Sequence, residues 1–336
     1  MSSTGPRAAT TDRTAAAAPT TGRRPGRSGG PGGPRKATRN RGGRFREATK
    51  RQLIPWLFLA PALIIFALFK FVPLVRMIEM SFYQVRPFLG DVYVGGANYD
   101  QVSSDEVFQD AIWHTVYLAV GTTAGSIVLG LVLALLLEGQ VKHLWFVRSA
   151  VFLPVVAAMA VVAEVWRILY YPTADGAVNS ILGLVGFGPS AFLNSADTSL
   201  NSVMVVGIWK GAPYDMMIFL AGLAGVDRAL YEAASVDGAS VWRRLWHVAF
   251  PALRPVFAIL LTLAAIRGLR VFTEVFLLTN GGPDGSSEVL MTLIYKLGLE
   301  RSGELGVASA GSVVLLAATA TLTVIVQVLR RRGAHR

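Results

Sequence analysis

Among the ionisable residues within or beside long apolar runs of this 336-residue chain are Glu164 and Arg167, then Arg267, Arg270 and Glu274. A charge in such a run is costly unless it faces water, protein or a partner. Spacings of three and four bring side chains together on one helix face, so local ion pairs are one reading. Contacts along a solute pathway are a second, and a proton relay is a third. A guanidinium facing a pathway binds hydroxyls or an anionic group through its planar fork. Trp209 and Tyr214 offer an apolar face with a polar tip, which suits a sugar ring. The same two aromatics serve equally as helix-packing or interfacial residues. Pro213, beside Tyr214, is expected to bend its helix and turn backbone carbonyls toward a cavity.

Other chemistries have little to work with. There is no cysteine, which excludes disulfides, thiolate metal sites and a cysteine nucleophile. The four histidines (His114, His143, His247 and His335) form no metal-ligand spacing. No Gly-x-x-x-x-Gly-Lys-Ser/Thr phosphate loop occurs, so no ATP site is expected on this chain. No carboxylate pair or nucleophile–base set stands at a recognisable spacing. The residues therefore offer no recognisable catalytic set, and no cofactor and no metal are expected.

The elements that position these residues are membrane spans. Hydrophobic residues make up 53% of the chain and charged residues 16%, against about 25% charged in a soluble domain. A helical span needs about 20 mostly apolar residues. Six runs qualify, near 54–75, 112–137, 148–170, 202–223, 251–273 and 307–329. The first is too long for the core of a secretion signal and reads as an anchor. Gly121-x-x-x-Gly125 in the second run lets helix backbones approach closely.

Charge fixes the expected orientation. Thirteen of the 32 bases and two of the 21 acids lie in Met1–Arg51, so the remaining 19 of each sign balance. Lys142, Arg148, Arg228, Arg243, Arg244 and Arg330–Arg332 fall on the side of the basic tail. The acids Asp91, Asp100, Asp105, Asp175, Asp197 and Asp284 fall on the other. Both termini are thus expected in the cytoplasm of a multi-pass plasma-membrane protein. Residues 1–50 are rich in Gly, Pro, Thr, Ala and Arg, and such a segment buries too little apolar area to order itself. It reads as a disordered tail that attracts anionic lipid, ahead of a membrane-spanning unit over 51–336. A nucleic-acid arm is the weaker reading, because only Phe45 interrupts the bases as a stacking aromatic. The abundance of Ala, Gly and Arg suits a GC-rich bacterial source.

Between the fourth and fifth runs, at about 225–251, lies the charged amphipathic segment YEAASVDGASVWRRLWHVAFP. Arg228 to Asp237 suits one short helix. Asp237-Gly238 marks a turn, and Ser240 is placed to cap a second helix. Val241, Trp242, Leu245, Trp246, Val248 and Ala249 give that helix a broad apolar face. Pro251 is expected to end it and open the fifth span. By composition alone this is a surface helix pair resting in headgroups.

Glu232-Ala233-Ala234, then Gly238 four residues on, Val248, and the pair Phe250-Pro251 resemble the EAA loop of ABC importer permeases, with Phe where Leu is usual. Leu278-Thr279-Asn280-Gly281-Gly282-Pro283 resembles the element after the fifth span in the carbohydrate-uptake branch, the maltose and glycerol-phosphate type. Gly96-x-Asn98-Tyr99, Trp209, Pro213, Phe219–Leu223 and Gly306-x-Ala308-Ser309-Ala310 fit the same branch, and the likeness covers about 52–330.

The resemblance implies an all-α, six-span type I ABC importer transmembrane domain. It implies that Glu232, Ala233, Ala234, Asp237, Gly238 and Pro251 form the coupling segment for an ATPase. The implied partners are a second homologous permease, two ATP-binding subunits carrying ATP and Mg, and an extracytoplasmic solute-binding protein. The implied cargo is a sugar or sugar-like solute, along a pathway for which Trp209, Tyr214, Arg267, Arg270 and Glu274 are candidates. Import of another small polar solute is the nearest alternative. A stand-alone ion-coupled carrier and a non-transport membrane protein are the readings from other classes, told apart by whether the chain works without an ATPase.

Overall fold

The computed structural model describes residues 55–333 apart from 87, 140, 141 and 302; the expected tail over 1–50 lies outside the described residues. Five helices are long and apolar enough to cross a membrane. They are α1 (Pro55–Met80), α3 (Glu106–Leu136), α7 (Ala196–Ala224), α9 (Val241–Leu269) and the last helix, α12, whose apolar stretch is Leu305–Val328. Shorter elements fill the gaps. A two-stranded hairpin, β1 (Tyr83–Gln84) with β2 (Val92–Tyr93), follows α1, and α2 (Ala97–Ser104) leads into α3. Between α3 and α7 lie α4 (Lys142–Val156), α5 (Met159–Leu169) and α6 (Ala177–Leu184). The segment α8 (Arg228–Val236) precedes α9, and α10 (Thr273–Leu278) and α11 (Leu290–Tyr295) precede α12.

In lipid, helices gain little from hydrophobicity when they associate, so close packing of small residues decides which ones touch. The most extensive contact is between α3 and α7. Glycines make it possible. A Cβ on Gly121 would strike Met204, and one on Gly125 would strike Ile208. A Cβ on Gly130 would lie 2.9 Å from the Ala212 carbonyl oxygen and 2.9 Å from Asp215 Cβ. From the other side, Gly207 faces Thr122 and Gly211 faces Ser126. Partner numbers rise together along both helices, so α3 and α7 run parallel. The small-residue spacing seen in the sequence thus serves this interface.

Two parallel spans in succession require the chain to cross back between them. That return is the third expected span, near 148–170, and it is not one helix. It consists of His143–Val156 and Met159–Leu169, bent by 98° at the Ala157–Ala158 break. Leu144 and Val151 pack with Ala134 and Phe219, near one end of the α3–α7 pair. Val162, Ala163 and Tyr170 pack with Leu118 and Val203, toward the other end. The bent pair therefore traverses the bundle and gives the sixth span. The run of apolar residues disclosed the length of this span but not the break, because Pro154 sits inside α4 and the chain leaves the helix only three residues later.

The fifth span also departs from expectation. It does not open at Pro251. The helix begins at Val241 and continues to Leu269 through a π-helical turn at Leu245–Ala249. Pro251 falls in the first turn of the α-helical part that follows this turn, and Pro needs no donor there. Nor does Pro213 interrupt α7, which passes through it as one helix. Helix α9 runs antiparallel to α7: Leu253 and Val256 lie at Gly222, whereas Gly268 lies against Ala119, which is level with the opposite half.

Gly268→Val is expected to lower the apparent Tm in detergent, because its Cβ would sit 2.7 Å from Ala119 Cα, a backbone atom. Overpacking of this kind costs about 1–3 kcal/mol. Gly183→Ala in α6, with nothing within 4 Å of the new methyl, is expected to leave the Tm unchanged or slightly raised. Equal Tm values for the two variants would show that the α9–α3 contact is not close.

Candidate functional site

A cavity of about 250 Å³ opens between α3, α7 and α9. Its wall is polar for a span interior. Thr122, Thr123 and Ser126 come from α3; Gly207, Lys210, Gly211 and Tyr214 come from α7; Ala264, Arg267 and Gly268 come from α9. Val155 enters from the bent pair, and Glu274 from the start of α10. The glycines that bring α3 and α7 together also leave room for the hydroxyls to face inward.

The charges are arranged across helices rather than along one. Arg267 Nη2 donates to Asp215 Oδ1 at 2.8 Å, from α9 to α7. Asp215 is fully buried, whereas the Arg267 side chain remains 44% exposed toward the cavity. The guanidinium also lies over the Tyr214 ring, 4.9 Å from its centroid, a cation–π contact. The expected local pairing of Arg267, Arg270 and Glu274 is not formed among the described residues. Arg270 instead terminates α9, its N–H donating to the Arg267 carbonyl, and it does not line the cavity. Glu164 and Arg167 do pair locally at 3.4 Å, and Arg167 also donates to the Leu277 carbonyl of α10. That ties the bent pair to α10 and argues for a structural role.

Of the expected pathway residues, Tyr214, Arg267 and Glu274 meet in this cavity and Trp209 does not. Trp209 packs edge-on against Trp166 with ring centroids 5.5 Å apart. Lys210, Asp215, Thr122, Thr123 and Ser126 were missed. Lys210 and Asp215 carried a usable signal, since both are ionisable residues inside an apolar helix. The hydroxyls carried none, because Ser and Thr can return their hydrogen bond to their own helix, as Thr122 does to the Leu118 carbonyl at 2.5 Å.

The second feature is the knob between α7 and α9. Asp227 Oδ1 accepts from Ala229 N–H at 2.9 Å and starts α8. Gly238 turns the chain at φ +73°, with no atom within 4 Å of a notional Cβ. Ser240 Oγ accepts from Arg243 N–H at 3.4 Å, as its capping role requires. Arg244 Nη1 donates to Ser235 Oγ at 3.0 Å and braces the two helices across the turn. Glu232, Ala233, Asp237 and Gly238 are exposed. So are Val236, Val241 and Trp242, at 88%, 73% and 68%. The apolar face of the second helix thus turns outward at its start and meets the core at Leu245 and Ala249. Burial raises the Tyr231 hydroxyl above its ordinary pKa, and the Glu138 carboxylate adds to this.

Residues 48–335 match the family described as the binding-protein-dependent transport system inner membrane component. The chain belongs to that family. Among curated members of the permease family, it is 32% identical to the probable ABC transporter permease protein YurN of Bacillus subtilis (strain 168), over 82% of this chain and 94% of that one. It is also 32% identical to the arabinooligosaccharides transport system permease protein AraP of the same organism, over 79% and 85%. The trehalose/maltose transport system permease protein MalF of Thermococcus litoralis is 28% identical over 84% and 94%. Among solved structures, a bacterial ABC transporter involved in import of the acidic polysaccharide alginate superposes with a TM-score of 0.74, at 26% identity over 86% of this chain and 99% of that one. As a member of this permease family the chain is a multi-pass membrane subunit, which accords with its spans.

The Asp215–Arg267 pair gives a direct test. Removing the cation alone strands a buried carboxylate: Oδ1 loses Arg267, and Oδ2 has no partner even with the pair intact. Arg267→Met is expected to cost about 3 kcal/mol, the low end for breaking a buried pair because the cavity screens the arginine. Adding Asp215→Asn is expected to restore most of that loss. A thermal-shift comparison of the two single variants with the double variant measures the coupling.

Proposed function

We propose that this permease forms half of the translocation pathway of an ATP-driven importer for a sugar or sugar-like solute. The observation that carries this reading is the 29-residue helix Val241–Leu269. One end of it is the second arm of the exposed knob, and its other end holds Arg267 in the polar cavity. The helix is continuous from the knob to the cavity, so displacement of the knob is delivered along it to the cavity wall. Glu232, Ala233, Ala234, Asp237 and Gly238 then form the surface on which an ATPase subunit docks. Pro251 lies on this helix itself, in the first α-helical turn after the π-helical one.

The remaining partners are those the family likeness implies. The cavity is walled mainly by α3, α7 and α9, and a second homologous permease completes the pathway. Two ATP-binding subunits, with their ATP and Mg, drive the knobs. An extracytoplasmic solute-binding protein delivers the solute to the side opposite the knob. Both termini lie in the cytoplasm, with the knob. A solved bacterial alginate ABC transporter in complex with an alginate pentasaccharide-bound periplasmic protein, at 26% identity and a TM-score of 0.74, supports the binding-protein partner. The sugars in the names of the arabinooligosaccharide and trehalose/maltose relatives support the cargo class. Hydroxyls, an aromatic face and charge-assisted donors are the groups a sugar needs.

The test is purification from native membrane, followed by transport and ATPase assays in proteoliposomes. The ATPase subunits and a second permease are expected to co-purify. Glu232→Lys is expected to lower sugar-stimulated ATP hydrolysis at least about tenfold, the equivalent of ~1.4 kcal/mol of lost docking. Gly238→Val forces a β-branched residue into the left-handed region, at about 1–3 kcal/mol, and is expected to uncouple transport in the same way. Solute uptake by the chain alone, without ATP, would overturn the proposal.

A further inference from the structure

Lys210 has no carboxylate partner among the described residues, although it lies mid-way along α7 beside the cavity. An ammonium in that position needs compensation. It finds it at the break of the third span. Lys210 Nζ donates to the Pro154 carbonyl oxygen at 3.1 Å and to the Ala157 carbonyl oxygen at 2.9 Å. The first oxygen belongs to the last turn of α4 and the second to the break itself, where the helix stops and its carbonyls have no following N–H to accept from. The helix C-terminus carries partial negative charge, so a cation there is stabilising. A broken helix is tolerated inside a membrane only where its freed backbone groups are satisfied. Lys210 supplies that satisfaction from a different span.

An ammonium has three donors, and these two carbonyls occupy two of them. No third acceptor is present among the described residues, and the side chain forms part of the cavity wall together with Val155 of the same break. We propose that Lys210 is a positioning residue that links solute occupancy to the bend of the third span. Two of its N–H groups hold the broken helix end, and the third donates to a solute oxygen in the cavity. A bound solute and the bent arrangement then stabilise each other, because linkage of this kind is reciprocal. The inference rests on the solute reading above for the identity of the ligand.

The absence of cysteine makes the measurement direct. Ser149→Cys and Ile168→Cys, both exposed and on opposite sides of the break, carry spin labels in the full complex with its binding protein in proteoliposomes. Trehalose, maltose and arabinotriose are the probes. With Lys210 present, the inter-label distance distribution is expected to be narrow and to shift on addition of a sugar that stimulates ATPase activity. Lys210→Met is expected to broaden the distribution, abolish the shift, and raise the sugar concentration for half-maximal stimulation about tenfold or more, as loss of a charged hydrogen bond does. Lys210→Arg, which keeps several donors, is expected to restore the narrow distribution. Lys210→Gln, with two N–H donors on a shorter side chain, is expected to fall between and serves where the Met variant does not assemble. Unchanged distances and unchanged sugar response in the Met and Gln variants would overturn the proposal. So would a broadened distance with an unchanged sugar concentration, since Lys210 would then be a helix cap and nothing more. Failure of all three sugars to stimulate the unmodified complex would instead overturn the sugar reading, and the link with it.

Discussion

The close approach of α3 and α7 is the contact on which the rest depends. Gly121, Gly125 and Gly130 on one helix, with Gly207 and Gly211 on the other, remove the side chains that would hold the backbones apart. Lipid offers no hydrophobic gain for this pairing, so steric fit must supply it. The pairing is parallel, and that single fact obliges the chain to return between the two helices. The return crosses the bundle as the bent pair α4–α5, and its break requires a donor from outside its own backbone. Lys210 of α7 supplies it. A packing rule for small residues thus leads, step by step, to a cation at the wall of a cavity.

The cavity is charge-balanced in a way that one helix alone does not allow. Asp215 is buried against α3, where Gly130 makes room for its Cβ, and its carboxylate takes Arg267 from α9. Arg267 is thereby held on the cavity side and stacked on Tyr214. Such a pair is weak evidence of stability, since desolvating two charges offsets much of their attraction. Its effect is to fix where the guanidinium points. Glu274 stands at the far edge, on α10, which Arg167 secures to the bent pair.

Mechanical continuity between knob and cavity comes from α9. A proline near the middle of a helical run normally marks a break. Here Pro251 stands in the first turn after a π-helical turn, and the rod from Val241 to Leu269 is unbroken. The knob's own geometry depends on Gly238, whose left-handed backbone lets α8 and α9 meet at a turn that Arg244 and Ser235 then brace. Three exposed apolar side chains, Val236, Val241 and Trp242, crown it.

The sequence by itself determined the features that are local in the chain. Apolar runs set the number and place of the spans, because burial length is a property of consecutive residues. The Asp-Gly turn and the Ser240 cap were readable, because each is decided within four residues. The knob's motif stood in the sequence apart from Phe250. Tertiary structure alone decided what joins residues far apart. The third span's 98° bend was hidden, since the break is stabilised by a lysine about 53 residues away. Arg267 was visible as a charge out of place, but its partner was sought within one turn and lies instead 52 residues away on another helix. Trp209 was drawn out of the site by Trp166, and Pro213 left α7 unbroken. Sequence spacing registers neighbours on one helix. Which helix faces which is set by the fit of small residues across the bundle, and that fit exists only once the chain is folded.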